Sequence, residues 1–205
     1  LKRAPRWLEN QLRTVPGVVD LQTRIVTDVT VELTGDSSDP ITARLVAIPP
    51  DGLRLNQTFL RNGRMLDRGR TDEVLINESF AVANHIKPGD GLVVHVNGHR
   101  LPLHVVGIAL SPEYIFALRT GDITPDDKRF GIVWISEAAL AHAMDMVGAF
   151  NDVSLKLSPN ASFEQAASHV NRVLEPYGGL GAYGRGEQMS ARNLSDELAQ
   201  LETQA

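Results

Sequence analysis

The run from Val19 to Leu33 restricts the fold more than any other feature of the chain. Its odd positions read Val, Leu, Thr, Ile, Thr, Val, Val, Leu, and its even positions from Asp20 read Asp, Gln, Arg, Val, Asp, Thr, Glu. Side chains alternate across a strand, so a period of two describes a strand with one buried face. At fifteen residues the run exceeds the usual strand length of roughly 3–10, and a bulge or bend is expected inside it. Gly35 to Pro40 reads as a turn and Ile41 to Ile48 as the returning strand. Before them, Pro5 suits the first turn of a helix with Trp7, Leu8, Leu12 and Val15 on one face, ended by Pro16-Gly17.

Pro49-Pro50-Asp51-Gly52 breaks the pattern and marks a crossing between lobes. Val74 to Ile76 is a short strand, and Asn77 is placed to cap a short helix ending before Lys87-Pro88-Gly89. Leu92–Val96 and His99–Val106 flank Asn97-Gly98, the strongest short hairpin signal. Pairing about that turn sets Val96 against His99, Val94 against Leu101 and Leu92 against Leu103, which gives one apolar face. Farther on, Phe130–Ile135 is a strand, Ser136 caps an Ala-rich helix ended by Gly148, and Val153, Leu155 and Leu157 mark another alternating strand. Ser162 and Gln165 form a capping box for a helix that buries Phe163, Ala166, Ala167, Val170, Val173 and Leu174 and ends at Pro176.

With 205 residues and 42% apolar content, the chain is long enough to pack a core as one domain or two lobes. A net charge of −5 without a basic run gives no electrostatic footprint for nucleic acid. The absence of cysteine excludes disulfides and thiolate metal sites.

Four of the six histidines, His85, His95, His99 and His104, fall close together and invite a metal site. The hairpin register argues against it. His95 and His99 lie on opposite faces, and His104 sits opposite Gly91, ~13 Å along the strand from His95. Ser111 lies outside any G-x-S-x-G elbow. Asp72-Glu73 and Asp126-Asp127 are adjacent pairs whose side chains diverge on an extended segment, so they read as turn and surface residues. Gly179-Leu180-Gly181-Ala182-Tyr183-Gly184 fits G-x-G-x-x-G, but a helix precedes it where a dinucleotide site needs a strand. Ser111-Pro112-Glu113-Tyr114 and Gly148-Ala149-Phe150-Asn151-Asp152 are the least ordinary segments left. Tyr114, Phe116 and Phe150 are candidates to line a groove or lobe interface, since aromatic residues serve both cores and interfaces.

The succession GRMLDRGRTDEVLINESFAVANHIKPGDGLVVHVNGHRLPLHVVGIALSPEYIFA from Gly63, then DDKRFGIVWIS from Asp126 and GAFNDV from Gly148, resembles the MacB-like periplasmic domain of FtsX/MacB-type ABC transporter permeases. The resemblance runs from Trp7 to about Leu201. It implies an α+β fold in which a porter-like α/β lobe, residues 1–52 and 129–190, is interrupted by a smaller β-rich Sabre-like lobe, residues 53–128. Residues 191–205, with Leu194, Leu198 and Leu201 at helical spacing, would lead toward a membrane span. The resemblance further implies a non-catalytic domain on the periplasmic or extracellular side of a cell membrane, set between two membrane helices. It implies no cofactor. The implied partners are the permease's own membrane helices, an ABC ATPase subunit or domain, and an extracytoplasmic substrate, lipoprotein or adaptor protein. Read without the resemblance, a small barrel opened by Lys87-Pro88-Gly89-Asp90 also suits a free-standing enzyme or ligand-binding protein.

The misplaced glycine fingerprint and the lack of a G-x-x-x-x-G-K-[ST] loop predict that the purified chain does not bind ATP. Calorimetry checks this. Binding that is abolished by Gly181→Trp would contradict it.

Overall fold

The alternation over Val19–Leu33 survives in three dimensions, yet the chain changes sheets within it. A computed structural model describes residues 1–33, 41–115, 117 and 124–185. In it β2 (Val18–Arg24) pairs antiparallel with β11 (Asp152–Leu157), whereas β3 (Val26–Leu33) pairs with β4 (Ile41–Ile48) and β7 (Gly91–Val96). The expected bend is therefore a switch point at Ile25, which is fully buried.

The larger sheet has seven strands in the order β5 (Phe59–Gly63), β8 (His99–Leu110), β6 (Glu73–Asn77), β9 (Phe130–Ser136), β4, β3, β7. An additional pairing of β7 with β8 closes it into a barrel. The length of β8 allows this closure. Its first half pairs with β7, and its second half carries β6 on one side and β5 on the other. Val29, Ile41, Leu45, Val94, Val105 and Val133 fill the interior. Helices α2 (Glu78–Ala83) and α3 (Glu137–Ala143) add Phe80 and Leu140 to that core. Val46, Leu75, Phe130, Ile132 and Trp134 point the other way into a second core with Ala117. Strands β4, β6 and β9 are thus covered on both faces, which explains their nearly continuous apolar sequences.

A separate core assembles around β2 and β11. Helices α1 (Leu8–Arg13) and α4 (Phe163–Leu174) bring Leu8, Leu12, Val170 and Leu174 to Leu21. Phe150 joins it from β10 (Ala149–Phe150), which pairs with β1 (Ala4–Pro5). The described chain thus forms a barrel and a terminal lobe.

The hairpin follows the register expected about Asn97-Gly98, with Val96, Val94 and Leu92 opposite His99, Leu101 and Leu103. Asn97 and Gly98 both have positive φ, as that turn requires. Ser136 and Ser162 cap α3 and α4 by accepting from Ala139 N and Gln165 N.

Backbone pairing joins β3, β4 and β9 to β5, β6, β7 and β8 in one sheet. An alternating strand shows that a face is buried and does not show against which sheet. Other expectations are corrected. Pro5 lies ahead of the helix in β1, where the backbone pairs with β10, and Trp7 at the helix start is 61% exposed. Asn77 does not cap α2 with its side chain. It spans strands instead, accepting from Ile132 N at 2.8 Å and donating to Ser79 Oγ at 2.9 Å. The helix after Ser136 ends at Ala143, before Gly148, and Asp145 takes the left-handed conformation that turns the chain. Phe163 is exposed at the start of α4. The helix expected over residues 191–205 lies outside the described residues.

Glu73, at the start of β6, is buried and accepts from both terminal nitrogens of Arg64, at 2.9 and 2.6 Å, and from Asp67 N at 2.9 Å. The Arg64 guanidinium holds this carboxyl down, from an ordinary 4.5 to about 2. Its contribution to stability is complete above the unfolded-state value and is lost as pH falls through about 2. Glu73→Gln is therefore expected to flatten stability against pH between 4.5 and about 2, measured by urea unfolding. An unchanged slope in that window would refute the assignment.

Candidate functional site

Along β2, Leu21 and Thr23 face the helices of the terminal lobe, and a second set of residues faces the barrel. Gln22 and Arg24 belong to the second set, and both are buried, at 5% and 2% exposure. A polar strand face has thus been turned inward. Burying such groups is costly unless each finds partners.

Gln22 meets that demand with the segment following β4. Its Nε2 donates to Gly52 O at 3.1 Å, and its Oε1 accepts from Arg54 N and Leu55 N at 2.9 and 3.0 Å. Arg54 reciprocates by donating to Leu21 O at 2.9 Å.

Arg24 does so with carboxylates from two distant segments. Glu113 accepts from Nη1 at 2.6 Å and Nη2 at 2.7 Å in a two-pronged contact. Asp152, directly opposite on β11, accepts from Nε at 2.9 Å and Nη2 at 2.6 Å, and Ser154 Oγ lies 3.2 Å from Nη2. Burial alone would lower the guanidinium's pKa, but Asp152 and Glu113 raise it by more, leaving it well above its ordinary value. The planar, permanently charged fork of arginine suits this geometry, which a lysine would not reproduce.

Asn151 secures the adjoining backbone. Its N–H donates to Arg24 O at 3.1 Å, its Oδ1 accepts from Val26 N at 2.8 Å, and its Nδ2 donates to Val26 O at 2.8 Å. The two places where the chain crosses between lobes, at Ile25 and at Asn151, are therefore bonded to each other.

The two segments singled out in the sequence, Ser111–Tyr114 and Gly148–Asp152, converge here. Ser111 is buried, its Oγ accepting from Glu113 N at 3.3 Å and lying 3.5 Å from Asn56 O, so it shapes the turn that presents Glu113. Tyr114 packs edge-on to Trp134 with ring centroids 6.4 Å apart, and burial, reinforced by Glu113, raises its hydroxyl pKa. Phe150 is fully buried in the terminal lobe's core, so Tyr114 and Phe150 serve different cores. Phe116 lies outside the described residues. Arg24 escaped the sequence reading because it occupies the polar half of the alternation. The acidic residues of the two unexplained segments, Glu113 and Asp152, were the available signal.

The remaining candidates resolve into local contacts. His95 Nε2 lies 2.7 Å from Glu32 Oε1, and that contact draws the carboxyl below its ordinary pKa. His104 is opposite Gly91 as expected. No group of three or more His, Cys, Asp or Glu that could hold a metal occurs among the described residues. Asp126 accepts from Lys128 N and Arg129 N, Asp127 accepts from Ser79 Oγ, and Asp72 accepts from Arg70. The glycine-rich loop follows α4 and the 3-10 turn Glu175–Tyr177, and Leu180 within it is almost fully exposed. An open depression of about 670 Å³ beside β5 and α2 is lined by Arg61, Glu78, Val82, His85 and Lys87, and Arg61 and Glu78 pair there at 3.2 Å.

This fold is similar to that of the extracellular domain of the noncanonical ABC-type transporter YknZ from Gram-positive bacteria. The TM-score is 0.56 at 13% identity, covering 86% of each chain. It is likewise similar to the periplasmic region of MacB from Actinobacillus actinomycetemcomitans, with a TM-score of 0.53 at 12% identity over 86% of this chain and 75% of that one. No family model and no curated protein matches the sequence. The chain has the α+β fold of the MacB-like extracytoplasmic domains of ABC transporter permeases. No helix among the described residues is long and apolar enough to cross a membrane.

The buried pair predicts strong coupling. In a double-mutant cycle by urea unfolding, Arg24→Met and Glu113→Ala are expected to interact near the top of the roughly 0.5–3 kcal/mol range found for contacting residues. The exposed pair Arg70–Asp72 is expected to couple far more weakly, because water screens it. Equal coupling in the two cycles would contradict the burial argument.

Proposed function

We propose that this chain is the extracytoplasmic domain of an ABC transporter permease and that it carries motion, with no chemistry of its own. The likeness of fold over 86% of the chain to two such domains supports this reading most strongly. ATP hydrolysis would take place on the cytoplasmic side in a separate ABC ATPase subunit or domain. Membrane helices would then move the terminal lobe, and the barrel would engage an extracytoplasmic substrate, lipoprotein or adaptor protein.

In this account the terminal lobe is the porter-like part and the barrel the Sabre-like part, with the boundaries at Ile25 and Asn151. The approach of Lys2 to the end of α4, where Lys2 N donates to Tyr177 O at 3.0 Å, is in keeping with force applied at one place. Tyr114, Phe116 and Phe150 remain candidates for a lobe interface, with Tyr114 beside Glu113 at the junction.

The natural full-length protein, tagged and purified from membranes, is expected to bring an ABC ATPase with it. Deleting residues 1–205 should preserve that association and abolish transport. Recovery of the tagged protein from the soluble fraction without an ATPase would overturn the proposal.

A further inference from the structure

The junction between the terminal lobe and the barrel differs in kind from the interior of either. The cores on its two sides have no residue in common. Polar contacts cross it instead: Gln22 to Gly52, Arg54 and Leu55, Arg54 to Asp20 and Leu21, Asn151 to Val26, and Arg6 to Glu137. The last is incomplete, because Glu137 Oε2 is buried without a hydrogen-bond partner. A seam of this kind resembles the polar interfaces between domains, which permit relative motion unless something fixes it.

Most of these contacts hold the orientation weakly. Those of Asn151 lie at the chain crossings themselves, about which any rotation would turn. Arg54 is about half exposed, and water can replace its bonds. The Arg24–Glu113 contact is of another sort. Glu113 stands on the segment leaving β8, which is part of neither crossing, and among the described residues the pair is the most buried ion pair of the seam, at 2% and 11% side-chain exposure. A partial opening would leave a guanidinium and a carboxylate unpaired in the interior, while two short, parallel bonds fix the plane of one group against the other. Asp152 and Ser154 belong to the same two-stranded sheet as Arg24. They aim the guanidinium, and Glu113 alone among its named partners is on the barrel side.

We propose that Arg24 and Glu113 form a lock that holds the terminal lobe and the barrel in one orientation, and that breaking the pair converts the junction into a hinge about Ile25 and Asn151. Asp152 positions Arg24, and Glu113 is the catch. What such a lock would do in a transporter rests on the function proposed above. The lock itself does not.

The chain has no cysteine, so spin labels can be placed at will. Labels at Ser168→Cys on α4 and His99→Cys on β8 report the separation of the two lobes by double electron–electron resonance. The unsubstituted pair of lobes is expected to give one narrow distance distribution. Glu113→Ala cuts the contact across the seam and leaves Arg24 with Asp152, so the distribution should broaden or split while the circular dichroism stays native. Arg24→Gln should do the same. Val170→Ala, which weakens the terminal lobe's core without touching the seam, should leave the distribution narrow. A narrow distribution in Glu113→Ala, whether or not Arg24→Gln folds, overturns the lock. So does equal broadening in Val170→Ala, because loosening would then follow from lost stability alone.

Discussion

A guanidinium at 2% exposure fixes how the parts of this molecule meet. Removing such a charge from water costs several kcal/mol, and only close, well-directed partners offset that cost. Arg24 finds them by gathering residues from strand β11 and from the segment after β8, which are far apart in sequence. Once those carboxylates are in place, the polar face of β2 must lie against the barrel, and its apolar face must lie against α1 and α4. The position of the terminal lobe follows from this pairing.

The barrel is organised by a different constraint. Its interior is apolar, and its closure depends on one long strand, β8, serving neighbours along both halves of its length. Strands covered on both faces, such as β9 with Phe130, Ile132 and Trp134 on one side and Val133 and Ile135 on the other, give it two cores back to back. Apolar burial is strong but indifferent to direction, whereas a two-pronged arginine–carboxylate contact is directional. The molecule uses the first inside its parts and the second between them. In a domain proposed to carry motion, that division would keep each part stiff and place the adjustable element where the parts join.

Much of the secondary structure was legible in the sequence because local chemistry decides it. Asn97-Gly98 set the hairpin register, and Ser136 and Ser162 marked two helix starts. The ordered motifs from Gly63 to Val153 carried the resemblance to a fold that comparison with solved structures bears out. The sheet assignment was not legible. A strand that passes through Ile25 from one sheet to another keeps its period of two, so the length of the run announces a bend but nothing in residues 18–33 announces a change of partner. Arg24 was hidden for a related reason: alternation separates polar from apolar positions but does not say whether water or protein covers the polar ones. Tyr114 and Phe150 show the converse. Both pack inside, as aromatic residues often do, and the junction between their cores is built by the Glu113 and Asp152 beside them.

Nitrogen-15 NMR of the chain labelled at arginine tests the central claim most directly, with Arg24→Lys identifying the signal. A guanidinium held by Glu113 and Asp152 cannot rotate freely about its Nε–Cζ bond. Its two terminal nitrogens should give separate resonances at 25 °C, with protons that exchange slowly with water. A single averaged resonance with fast proton exchange would mean that Arg24 faces solvent. The two lobes would then have to be held together by something else.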